Sequence, residues 1–379
     1  MSEIGAIKLD NYCFSDTLAT MQEVSSFFYY SKSFPKILHK LKSTLVYSTY
    51  QAGKVIMISS ANGETITKYA KNFKRPMGIA ISEDSKQLAI ASKSEIGIFC
   101  SNPVLAESYP EQTQKYSHLY IPQSKFNTGI VDTHEIVWSE EELLITNTLF
   151  SSISKMSHRY HFDLHWKPEF ISNLAPEDRC HLNGVASVNG KPKYVTMFAK
   201  TDKAKGWREM PYNSGLLMDI DSGEVLLSDL ALPHSPVVHE GIIYFLLSGT
   251  GDVMAYDIEK KEAKRLTNFN TFVRGMEVVG DFIFLGLSKI REGSQFFSKL
   301  PISSKDSYCG IRVINRFTGK ELGGLTYTDR IEEIFAVKIA KGVTSPAILT
   351  ERDELYDRCI SVPNSQNYWL EKEQKEQPK

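Results

Sequence analysis

Six times along this 379-residue chain a polar or charged residue, a short turn and a run of small and β-branched residues come one after another in the same order. The segments begin Arg75-Pro-Met-Gly, Asp132-Thr-His-Glu, His181-Leu-Asn-Gly, Pro233-His-Ser-Pro, Phe272-Val-Arg-Gly and Arg330-Ile-Glu-Glu. Their fourth positions (Gly78, Glu135, Gly184, Pro236, Gly275, Glu333) recur at about 51 residues on average, close to the length of one four-stranded propeller blade. A unit of that size cannot bury its own faces, so six in a row must stack on one another. The repeat predicts an all-β chain folded as one six-bladed β-propeller.

The residues after each anchor agree. A second short β-branched or aromatic run comes about ten residues later, as in Gln87-Leu-Ala-Ile-Ala, Tyr194-Val-Thr-Met-Phe and Phe282-Ile-Phe-Leu-Gly. Outer hairpin turns read from Asp219-Ile-Asp-Ser-Gly, Asp257-Ile-Glu-Lys-Lys and Asn315-Arg-Phe-Thr-Gly. The last repeat runs out after two strands, and two strands near residues 45 and 54 precede the first repeat. These N-terminal strands are expected to complete the sixth blade beside residues 331–350, which leaves no open edge. The propeller then spans 44–351. An extension with short helices covers 1–43, and residues 352–379 end in a charged tail expected to be disordered. The competing arrangement is two β-rich domains divided near residues 100–125.

Charge narrows the function classes. Lys and Arg number 44 against 45 Asp and Glu, so the chain lacks the basic excess of a nucleic-acid surface. The first residues do not read as a signal peptide, and no stretch approaches the ~20 apolar residues of a membrane span. Five scattered cysteines without a CxxC favour a reducing cytoplasm over a disulfide framework.

Several strings resemble a family of bacterial proteins of unknown function regarded as propellers: Ser48-Thr-Tyr-Gln-Ala-Gly-Lys54, Arg75-Pro-Met-Gly78, Asp178-Arg-Cys-His-Leu-Asn-Gly184, Gly206-Trp-Arg208, Pro233-His-Ser-Pro236 and Ser288-Lys-Ile-Arg-Glu292. They span residues 45 to 340. The chain departs from that pattern at Val237, where the family tends to carry a basic residue. The resemblance implies the fold and no activity.

In a propeller the entries of the inner strands converge on one mouth of the central channel. Here they supply polar groups from every repeat, and unpaired buried charge is costly, so convergence points to a ligand site. His134, His181 and His234, from consecutive repeats, suit one divalent transition metal, with Asp132 or Glu332 as an added oxygen ligand or base. The competing reading is that these histidines bond neighbouring backbone. Arg75 and Arg274 suit a carboxylate or phosphate, or alternatively internal ion pairs. Asn183 and Ser235 complete the set. Glu332 is chosen over Glu333 because it aligns with His134, Asn183 and Arg274.

Other motifs carry less. Cys180 beside His181 is a candidate thiolate, although neighbours in extended chain point apart. Asp178 and Arg179 read as a structural pair. Ser248-Gly-Thr-Gly-Asp lacks the lysine and helix of a phosphate loop and reads as a hairpin turn. His158, His161 and His165 read as surface residues of an outer strand.

Two functions fit these residues. The first is a cytoplasmic enzyme acting on a small acidic molecule: a lyase, lactone hydrolase or isomerase, with or without a metal. The second is a non-catalytic propeller that binds a small ligand or a protein partner.

Overall fold

The computed structural model describes residues 21–25, 27–110, 112–140, 142–290, 297–302, 307–363 and 367–371. Cys13, the N-terminal start and the tail 372–379 lie outside these residues.

Six antiparallel sheets, each built on four strands, form six blades. Their inner strands are Ile79–Ile81, Thr133–Ser139, Leu182–Val188, Pro233–His239, Phe272–Val279 and Val337–Lys341. Each packs against the next, and the sixth packs back onto the first, so the ring is closed. The chain is therefore a six-bladed β-propeller. The stretch between residues 100 and 125 is no domain boundary. It holds a short helix, Pro103–Glu107, capped by Asn102, and leads into the outer strand of the first blade, His118–Asn127.

The anchor glycines have a steric cause. A Cβ on Gly184 would stand 2.4 Å from Pro236 Cδ of the next blade, and one on Gly275, at φ +75°, 2.9 Å from the Val337 amide nitrogen. Only glycine lets inner strands approach so closely. Hydroxyls at the ends of the second strands tie neighbours together. Ser48 donates to the Met77 carbonyl, Thr148 to Leu182, Ser248 to Val273 and Ser288 to Ile334. Each bond joins one blade to the inner-strand region of the next and satisfies a buried carbonyl.

The sixth blade joins both halves of the chain. Val337–Lys341 pairs antiparallel with Ser43–Thr49, and Lys54–Ser59 and Thr67–Asn72 complete the sheet. The second C-terminal strand does not remain there. Pro346–Ile348 crosses to the first blade and pairs in parallel with His118–Tyr120. Beyond it, a hairpin of Cys359–Ser361 and Asn367–Trp369 sets Trp369 against Leu105, Ala106 and Tyr109. In the N-terminal extension, the described helical content is Ser33–Leu41. Before it, Phe28–Ser31 and Met21–Ser25 form strands that extend the fifth blade through Phe28 opposite Tyr327.

Inside the channel three inner strands meet in one ion cluster. Lys338 Nζ lies 3.5 Å from Glu135 Oε1 and 3.4 Å from Glu277 Oε2. Burial raises the Glu135 carboxyl, opposed by the Lys338 charge.

Candidate functional site

A cavity of about 320 Å³ opens at the channel mouth, within the range of small-molecule sites. The inner-strand entries supply Asp132, His134, His181, His234, Arg274 and Glu333 to its wall. Two insertions complete it. One, between the second and third strands of the third blade, brings Phe198, Trp207 and Arg208; the other, in the fifth blade, brings Lys289, Ile290 and Phe297.

The three imidazoles are held through Nδ1. His134 Nδ1 lies 2.9 Å from the Asp132 carbonyl and 2.9 Å from Thr148 Oγ1. The one Thr148 proton is spent on Leu182, so His134 must donate. His234 repeats this arrangement with the Leu232 carbonyl at 3.1 Å and Ser248 Oγ at 2.7 Å, the Ser248 proton going to Val273. His181 differs: its Nδ1 sits 3.0 and 3.1 Å from the two Asp178 carboxylate oxygens. Trp207 Nε1 donates to the same carboxylate at 2.8 Å. With Nδ1 donating, Nε2 of His134 and His234 carries the lone pair of the neutral ring. Burial, reinforced by the Arg274 charge and then by His181, holds the His134 and His234 imidazoles well below the usual histidine range. Both are neutral at pH 7.

Aromatic rings fix the layer. His181 lies 4.4 Å from the Phe198 centroid and 4.3 Å from that of Trp207, with His134 edge-on at 4.9 Å. Phe198 also meets His234 at 5.1 Å. The Arg274 guanidinium stacks 3.4 Å over Phe335, which lies against His134 and Tyr50. That contact orients the guanidinium of a residue only 8% exposed.

The sequence-derived candidates divide. His134, His181, His234, Asp132 and Arg274 line the cavity together. Arg75 does not: it is exposed, at φ 49°, with its guanidinium 5.8 Å over Tyr50. Glu333, 9% exposed, takes the wall position expected of Glu332. Glu332 faces outward and pairs with Lys289 at 3.3 Å. Asn183 is buried behind the wall, where it accepts from Thr196. Ser235 turns at φ 53° to accept the Gly275 amide and serves blade contact. Among the described residues no group of three or more His, Cys, Asp or Glu side chains stands close enough to hold a metal ion.

The remaining motifs resolve similarly. Cys180 is fully buried away from the cavity, and burial pushes its thiol up to about 12, which leaves no thiolate to act. Arg179 pairs with Glu177 and Asp202 instead of Asp178, freeing Asp178 for His181. Ser248-Gly-Thr-Gly-Asp is a hairpin turn closed by Gly251 N–H to the Leu247 carbonyl. His158 and His161 border a shallow surface cleft beside Lys125 and Tyr160. Arg291 and Glu292 of the 288–292 string lie outside the described residues.

Sequence reasoning misses Trp207, Arg208, the orienting role of Asp178 and the hydroxyl partners. One signal for the last is present in the chain: Thr148 comes after His134, and Ser248 after His234, at the same spacing of 14 residues.

Fold and site together define a closed β-propeller with a polar, aromatic-walled mouth. The chain belongs to the family described as a domain of unknown function (DUF4915), whose model matches residues 32–349. Comparison with curated proteins finds no match. Among solved structures, one from a nidogen/laminin complex is 12% identical, covering 79% of this chain and 99% of that one, with a TM-score of 0.49. A chain from Agrobacterium tumefaciens assigned as TolB is 13% identical over 78% of this chain and 97% of that one, with a TM-score of 0.43. No described helix is long and apolar enough to cross a membrane.

Proposed function

We propose that the channel mouth is an active site for proton transfer on a small carboxylate- or phosphate-bearing molecule. The observation that carries this reading is the Asp178–His181 pair. A carboxylate that accepts from Nδ1 fixes the tautomer and stabilises the imidazolium that forms when Nε2 takes a proton. Trp207 donates to the same carboxylate and steadies it. Arg274, set over Phe335, brings a guanidinium to the cavity wall to meet the acid group. His134 and His234, neutral and tethered through Nδ1, offer acceptors without adding charge. Lyases and isomerases that abstract a proton beside an acid group begin with such a transfer.

The test uses small acids that bind the purified protein in a thermal-shift screen. Each is incubated in heavy water, and exchange of its C–H protons is followed by NMR. Exchange is expected with the native chain, falling about 100-fold or more in Asp178→Asn and His181→Gln with binding retained. Acids that bind without exchange or turnover would make the propeller a binding module. Binding of neutral analogues alone would remove the reading.

A further inference from the structure

A second guanidinium shares this cavity, and its setting narrows the ligand. Arg208 stands on the insertion of the third blade, in the turn Gly206–Arg208, with its guanidinium carbon 4.2 Å over the Trp207 ring. It is exposed, whereas Arg274 is buried on the inner strand of the fifth blade, so the two stand at the rim and in the depth of one cavity. Among the described residues no carboxylate ion-pairs with Arg208. The adjacent Glu209 is taken by Lys203 at 2.6 Å, and Lys289, the other cation on the wall, is held by Glu332. A guanidinium held over an aromatic face can still present N–H donors to an acid group. The wall that the two share also carries the rings of Phe198, Trp207, Phe272 and Phe297. The carboxylates on the wall, Asp132 and Glu333, lie at the entries of the second and sixth blades.

Resting on the reading of the mouth as an anion site, we infer that its ligand carries two anionic groups at opposite ends of a flat or apolar body. Arg274 takes the inner group and Arg208 the outer one. Arg208 is thereby the residue that distinguishes diacids from monoacids. Its hydrogen bonds form at an exposed rim, so its contribution is on the order of a tenfold change in affinity.

Calorimetric titration with benzoate and terephthalate, which share a ring and differ by one carboxylate, tests this. The native chain is expected to bind terephthalate about tenfold more tightly. In Arg208→Gln that preference disappears while benzoate affinity stays within about twofold, and Arg208→Lys retains part of it. Unchanged benzoate binding also shows that the variant has kept its site. Equal affinity for the two acids in the native chain, or equal weakening of both by Arg208→Gln, would overturn the inference and leave the anion site standing. Failure of both acids to bind the native chain would remove the inference and the anion site together.

Discussion

Lys338 holds the centre of the channel, and its replacement by methionine gives a worked test of how the ring is held. The substitution keeps most of the apolar stem and removes the ammonium that lies 3.5 Å from Glu135 and 3.4 Å from Glu277. Two carboxylates from different blades are then left facing one another in a mostly buried space. The cheapest relief is to protonate one of them. From a reference pKa near 4.3 that costs ~3.7 kcal/mol at pH 7, at ~1.4 kcal/mol per pH unit. The same relief costs only ~1.6 kcal/mol at pH 5.5. Urea unfolding of the native chain and Lys338→Met at both pH values is therefore expected to show a loss of about 3–4 kcal/mol that shrinks by about half on acidification. Adding Glu135→Gln should recover most of the loss at pH 7. A penalty under about 0.5 kcal/mol, or one that does not change with pH, would refute the cluster as a charge-balanced clamp.

Two further outcomes concern the mouth. The His234 imidazole is depressed in the folded state, so its contribution is intact above the unfolded pKa near 6.5 and is lost as pH falls towards the folded value. Native stability should accordingly drop between about pH 6 and pH 5 with a share of up to ~1.4 kcal/mol per unit from this group. The slope should be flatter by that share in His234→Asn, which keeps an N–H for Ser248; an unaltered slope would contradict the assignment. Because, among the described residues, no group of three or more His, Cys, Asp or Glu side chains stands close enough to hold a metal ion, treatment with a chelator should leave acid binding unchanged. Loss of binding on chelation, restored by a divalent transition metal and absent in His181→Ala, would support the metal centre expected from the sequence.

How much is legible in the sequence depends on whether a position obeys strand geometry. The anchors are readable because close approach forces glycine at Gly184 and Gly275, and because polar residues recur at the entry of each inner strand. The choice of Glu332 rests on counting along a repeat alignment, which assumes extended chain. The sixth inner strand begins only at Val337, and entry residues elsewhere sit at positive φ, including Asp132, Asp178 and Ser235. Alternation does not hold through such turns, so Glu333 reaches the wall and Glu332 does not. Ser235 escapes the count for the same reason. Trp207 and Arg208 come from an insertion outside the repeat, where no periodicity constrains position. The folding of Asp178 back onto His181 depends on a left-handed residue at 178, which composition cannot announce.

The joining of Val337–Lys341 to Ser43–Thr49 has a consequence for synthesis. During translation the first five blades emerge in order, and the strand that seals the circle follows all of them. Until then Ser43–Thr49 offers an unpaired backbone edge, and the hydroxyl of Ser48 lacks the Ala336 amide that it later accepts from. A nascent chain must therefore keep a nearly complete ring open until that strand emerges. Messages truncated before residue 337 should yield proteins with a full set of mouth histidines and no closed ring to hold them.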